Sequence, residues 1–139
     1  MFEHHVTRAH NPLVRGFDST FYAPHSRHTE IRREEILKHP ELRLLADSPE
    51  VGPHIASTEN GRQIFVLGHQ EYDKDTLAAE YFRDVKKGMD IKVPANYFKD
   101  DNPENEILFR WRAHANLLFT NWLNYYVYQA TPYELGEMP

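Results

Sequence analysis

The tripeptide Glu59-Asn60-Gly61 separates two strand-like runs, residues 54–58 and 62–67. Asn and Gly both tolerate positive φ, so this pair between two such runs is the strongest hairpin signal in the chain. The second run ends in Ile64-Phe65-Val66-Leu67, which is apolar without interruption. An unbroken apolar run of that length suits a strand covered on both faces, as in an α/β sheet.

The remaining elements are arranged around this hairpin. Residues 2–6 alternate loosely and read as a short strand, while Asn11-Pro12 opens an irregular stretch that continues to Pro24. Residues 32–37 suit one or two helical turns, stopped before His39-Pro40, and residues 42–46 form an apolar run of strand length. Residues 76–87 read as a helix, with Asp73 and Asp75 at its start and Lys86 and Lys87 ahead of Gly88. The longest helix is expected over residues 108–129, ended by Thr131-Pro132. Trp111, Ala115, Leu118, Phe119, Trp122, Leu123 and Tyr126 fall on one stripe of it, a pattern that belongs to core packing. The expectation is a single α/β domain over residues 1–139.

Charge and composition remove several functions. Sixteen basic against 21 acidic residues give a formal charge of −5, which disfavours nucleic acid as a partner. No apolar run is long enough to span a membrane, and Met1-Phe2-Glu3-His4-His5 lacks the basic and apolar regions of a signal peptide, so a cytoplasmic protein is expected. With no cysteine, the chain has no disulfide, no thiolate metal site and no thiol nucleophile.

Chemistry concentrates just after the apolar run, in Gly68-His69-Gln70-Glu71-Tyr72. In extended chain, side chains at i and i+2 point the same way. Glu71 is therefore placed to accept the proton of one His69 nitrogen and leave the other as a base, which is the base-and-orienter half of a nucleophilic triad. A short His-x-Glu pattern is equally compatible with a loop histidine beside a solvated acid. Arg83 suits bidentate capture of a carboxylate, or else a surface ion pair with Glu80 or Asp84. His25-Ser26-Arg27-His28 and His4-His5 invite a metal reading, but no second spacing supports three or four converging ligands, so no metal is expected. Ser26 lacks the glycine-flanked elbow of a serine nucleophile.

Longer motifs carry a resemblance. Gly68-His69-Gln70-Glu71-Tyr72-Asp73, Thr76-Leu77, Glu80-Tyr81-Phe82-Arg83-Asp84, Pro94 and Asn96-Tyr97-Phe98 are similar to the homoserine O-acyltransferases of methionine biosynthesis. The run from Trp111 to Gln129 resembles their carboxy-terminal helix, and Pro12-Leu13, Arg15-Gly16-Phe17-Asp18 and Ala23-Pro24-His25-Ser26-Arg27 match nearer the start. The resemblance covers nearly the whole chain. It implies a flavodoxin-like fold related to class I glutamine amidotransferases, here a partial sheet with a hairpin and a long carboxy-terminal helix. It implies acyl transfer from acetyl- or succinyl-coenzyme A to L-homoserine through an acyl-cysteine, with acyl-coenzyme A a co-substrate and no further cofactor. By the same resemblance His69 is the base, Glu71 its orienting acid, Arg83 the holder of the homoserine carboxylate and Ser26 part of the substrate pocket. Gln70 stands where proline is usual in the family.

The family's nucleophilic cysteine, oxyanion donors, a substrate-contacting lysine and the donor-selecting position all lie upstream of the matched segment. The chain alone is therefore expected to be inactive and to associate, either with itself or with a nucleophile-bearing upstream half. The alternative is a catalytically inactive homoserine-binding or interaction protein derived from that family.

Overall fold

The elements appear in chain order as β1 (Phe2–Val6), a 3-10 turn (Pro12–Val14), β2 (Thr20–Ala23), α1 (Arg33–Leu37), β3 (Leu42–Ser48), β4 (Gly52–Thr58), β5 (Ile64–Val66), α2 (Thr76–Lys86), a second 3-10 turn (Lys99–Asp101) and α3 (Arg112–Trp122), which continues as a π-helical segment (Leu123–Tyr128). They are taken from a computed structural model that describes residues 1–27, 29–130 and 136. The helix stop expected at Thr131-Pro132 lies outside those residues. The strands form one sheet in the order β2-β1-β3-β4-β5, and every pairing is antiparallel. The mixture of strands and helices, the hairpin and the carboxy-terminal helix follow the sequence. A parallel, flavodoxin-like sheet does not appear among the described residues.

The hairpin forms, though not as a two-residue turn. Its last pair is Ser57 with Ile64, and Thr58 N–H donates to the Gln63 carbonyl at 2.9 Å. Only Gly61 takes a positive φ, of 69°. Asn60 works through its side chain instead, its Oδ1 accepting from the Arg62 N–H at 3.1 Å and from the Thr58 hydroxyl at 2.8 Å. The wider turn lets Tyr126 pack over Gly61.

Strand β5 corrects the expectation of a strand covered on both faces. It is the sheet edge, with Phe65 42% and Val66 39% exposed. Its apolar run is real, but nothing among the described residues lies beyond it. Residues 20–23, expected to be irregular, pair with β1 because Phe21 and Ala23 point into the core. Residues 108–111 are not helical, since Leu108 N–H is drawn off to the Tyr97 carbonyl at 2.8 Å.

Of three apolar clusters among the described residues, a small one of Ile36, Leu44 and Ala56 seats α1 on the sheet, and two larger ones hold the other elements together. Leu13, Val14, Phe21, Leu45, Ile55 and Leu118 belong to one, and Met1, Leu77, Tyr97, Phe98, Trp111 and Ala115 to the other. Helix α3 contributes to both. Buried Asn121, one turn below Leu118, donates to the carbonyls of Leu13 at 3.0 Å and Arg15 at 2.8 Å. The outer half of the aromatic stripe departs from the core expectation. Phe119 and Trp122 remain exposed because they flank the open edge at β5, and Leu123 is exposed as well. Helix α2 is capped from a distance. Asp75 makes no side-chain cap, and Ala78 N–H donates to the Tyr97 hydroxyl, which itself donates to the Lys74 carbonyl. Among the described residues no helix is long and apolar enough to cross a membrane.

A Cβ on Gly61 would stand 2.5 Å from the Tyr126 ring on a backbone that L-residues rarely adopt. Gly61→Ala is therefore expected to destabilise the chain by about 1–3 kcal/mol, lowering the melting temperature by roughly 5 °C or more in a thermal melt.

Candidate functional site

The site begins where β5 runs out. Leu67 N–H still pairs with the His54 carbonyl at 2.8 Å, and His69 N–H then donates to the Pro24 carbonyl at 2.8 Å. The exits of β5 and β2 are thus fastened side by side. Between these two bonds sits Gly68, whose missing side chain is required. A Cβ there would meet His25 Nε2 and His54 Cε1, each at 2.7 Å.

His69 and Glu71 are joined, with His69 Nδ1 2.7 Å from Glu71 Oε1, but across a turn closed by Tyr72 N–H on the His69 carbonyl at 3.4 Å and not in extended chain. A neutral ring so bonded carries its proton on Nδ1 and keeps a lone pair on Nε2, the arrangement of a general base. The ring is stacked on Tyr72, centroid to centroid 4.3 Å, which limits its rotation. Tyr72 is fixed in turn by the Trp111 indole, which donates to its carbonyl at 2.9 Å. One-third of the His69 side chain is exposed, at the end of an apolar groove of about 560 Å³ lined by Leu13, Ile64, Val66, Leu118, Phe119 and Trp122.

Ser26 and Arg83 lie together in a second groove, of about 370 Å³, with His25, Glu80 and Lys92. His69 and Glu71 line the first groove and not this one. The two grooves are connected by Glu80, which accepts from the Ser26 hydroxyl at 3.1 Å and from the Tyr72 hydroxyl at 2.8 Å. Burial, and then the bond to Glu80, push the Tyr72 phenol up to about 12, so it remains a donor across the neutral range. Sequence spacing offered Glu80 as a possible ion-pair partner of Arg83 and gave no sign of its bridging role. Arg83 is engaged by its neighbour Asp84, through Nε at 2.7 Å and a second guanidinium nitrogen at 2.8 Å, while more than half exposed. Here the ion-pair reading of Arg83 describes the structure, and its fork must exchange Asp84 for any ligand carboxylate.

Gln70 is 2% exposed, and neither atom of its amide meets a partner among the described residues. A proline there would bury no amide.

Sequence spacing missed one grouping entirely. His4 from β1, His25 from the chain after β2 and His54 from β4 converge, with one nitrogen of each within 4.8 Å of the others. His5 alternates to the exposed side, and His28 lies outside the described residues. The link to His54 has no local pattern, since it arises only from strand pairing. Burial is the main force on all three rings, pushing His4 down to about 4, His25 to about 3 and His54 well below the usual imidazole range.

The family model described as homoserine O-succinyltransferase matches residues 1–133. A homoserine O-acetyltransferase of Clostridium acetobutylicum is 59% identical over 135 residues, covering 97% of this chain and 45% of the relative. Homoserine O-acetyltransferases of Acetivibrio thermocellus and Bacillus mycoides are 56% and 58% identical, over 99% and 97% of this chain and 45% of each relative. The chain spans less than half the length of these relatives.

Two measurements check the site's energetics. Replacing Gln70 by Met removes the unpartnered amide at nearly constant volume and is expected to stabilise by about 1 kcal/mol, roughly 3 °C in a thermal melt. The histidine cluster sets a pH dependence. Above the ordinary imidazole value of 6.5 neither folded nor unfolded chain is protonated there. Below it the unfolded chain takes up protons that the folded one refuses, so stability falls with pH until the lowered folded values are reached. The expected loss in chelator-containing buffer is up to about 1.4 kcal/mol per pH unit for each of the fully buried rings, His4 and His54. Melting temperatures between about pH 7 and 4 read this slope, and His54→Phe should flatten it.

Proposed function

Because this chain belongs to the homoserine O-succinyltransferase family and corresponds to its carboxy-terminal part, we propose that it is the base-bearing half of an enzyme that acylates L-homoserine. The observation that carries the reading is the 2.7 Å contact between His69 Nδ1 and Glu71 at the open end of an apolar groove. The acyl donor is an acyl-coenzyme A and the acceptor is the homoserine hydroxyl, which places the product in methionine biosynthesis. Acetyl is the acyl group we favour, on the names of the relatives that are 55–59% identical.

In this reading the cysteine comes from the upstream half. Its thiolate attacks the thioester carbonyl, the acyl–sulfur bond of the donor breaks, and coenzyme A leaves as the thiol with the proton held by His69. His69 Nε2 then takes the homoserine hydroxyl proton as that oxygen attacks the acyl-cysteine, and the cysteine sulfur is released as the ester forms. Glu71 holds the ring in the tautomer both steps need and offsets the imidazolium charge. Arg83, freed from Asp84, binds the homoserine carboxylate at the Ser26 end, and Glu80 is placed to receive the substrate ammonium. No step calls for a cofactor.

In this reading an upstream half also covers the open edge. The family's flavodoxin-like sheet is assigned to the remainder of the longer protein, packed on β5 and the exposed Phe119 and Trp122. Without it the chain is expected to self-associate through that face. An inactive, homoserine-binding role is the second reading, favoured by the absence of any cysteine from the chain.

Thiol release from acetyl-coenzyme A in the presence of homoserine separates these readings. The chain alone is expected to show none, and adding the upstream half of the Clostridium acetobutylicum relative should restore turnover. In the restored enzyme His69→Ala should lower kcat by about 10³-fold, and Arg83→Ala should chiefly raise the homoserine KM. Turnover by the chain alone would overturn the proposal. Homoserine binding by calorimetry without any restored turnover would favour the inactive reading.

A further inference from the structure

We infer that His4, His25 and His54 form a binding site for a first-row transition-metal ion of the zinc class, separate from the His69–Glu71 pair. The inference rests on the convergence of three imidazoles and does not depend on the acyl-transfer reading.

The three rings come from separate parts of the sheet and meet beneath Gly68. The His4 and His25 rings are stacked, with their Nε2 atoms 2.9 Å apart, and the His54 ring centroid lies 4.4 Å from that of His4 and 5.3 Å from that of His25. Gly68 leaves space where His25 Nε2 and His54 Nδ1 face the same point, 2.7 and 2.8 Å from where a Cβ would stand. Zinc–imidazole bonds are about 2.0–2.1 Å long, so tetrahedral ligands lie about 3.3 Å apart. Nitrogens already within 4.8 Å of one another reach that spacing by small rotations of the rings.

The chemistry of the cluster also suits a metal better than protons. Each neutral imidazole offers one lone pair, and the contact between His4 and His25 uses only one of the three. Both nitrogens of His54 are buried without any partner among the described residues. Burial has made the rings neutral at physiological pH, so a metal displaces no proton on entering. Arg27 opposes added positive charge of either kind, but a proton gains one nitrogen where a metal gains three. Three imidazoles without a thiolate or carboxylate suit zinc, nickel, cobalt or copper(II) over calcium or magnesium. Water completes the fourth position. The ion ties β1, the exit of β2 and β4 together under the backbone that presents His69.

The test uses the whole chain, stripped with a chelator and titrated with zinc against a chromophoric competitor. One zinc per chain with a dissociation constant of about micromolar or tighter is expected. Cobalt should give the intense visible absorption of a tetrahedral site, which surface histidines in an unfolded or loosely bound state do not produce. His54→Phe keeps an aromatic ring against Phe21 and should weaken binding on the order of 100-fold, whereas His5→Gln and His39→Gln leave it unchanged. If His54→Phe fails to fold, the wild-type chain still decides, since zinc must raise its melting temperature relative to chelator. Absence of stoichiometric zinc, or binding that survives in folded His54→Phe, would overturn the site.

Discussion

The hydrogen bond from His69 N–H to the Pro24 carbonyl is the joint on which the rest of the site is hung. It is a single backbone contact between chain segments that are far apart in sequence. By joining the exits of β2 and β5 it sets His25 against Gly68 and brings Ser26 within reach of Glu80. It also turns the chain so that His69 and Glu71 face outward while Gln70 faces in. A net contribution of about 1 kcal/mol is typical for such a bond, so its value lies in what it orients. The Trp111 indole on the Tyr72 carbonyl does the same work from the opposite side.

Features whose cause is local were legible in the sequence. Helix α2 ends within one residue of its expected close, because the basic residues and Gly88 that stop it are adjacent in the chain. The pairing of His69 with Glu71 was legible as a contact but its geometry was not, since Gln70 and Glu71 lie in a turn closed by Tyr72 N–H on the His69 carbonyl at 3.4 Å rather than in extended chain. The apolar run 64–67 was read correctly as a strand, but periodicity records only that its residues are apolar. Whether both faces are covered depends on what lies beside β5, and that information is not in the run.

Features assembled by sheet pairing or by long contacts were not legible. The Tyr97 hydroxyl caps a helix that begins 21 residues earlier, and no local rule links the two. Glu80 connects Ser26 with Tyr72 only because α2 lies across both of them. His54 joins His4 and His25 through the order of β1, β3 and β4 in the sheet. The long motifs that resemble the acyltransferases supplied the candidate site residues. They could not say that Arg83 rests on Asp84.

Helix α3 has a consequence for how the molecule comes apart. Ala115 lies in one apolar cluster and Leu118 in the other, on a helix of 11 residues whose N-cap, Trp111, belongs to the first cluster. Neither cluster can lose its packing without exposing part of the same rod, so the two behave as one cooperative unit. The loop bearing His69 has no independent route to local melting, because its Tyr72 carbonyl is held by the first residue of that rod's apolar stripe. Slow amide exchange should therefore extend from α3 into the turn after β5, giving the exposed segment that bears His69 the opening free energy of the interior.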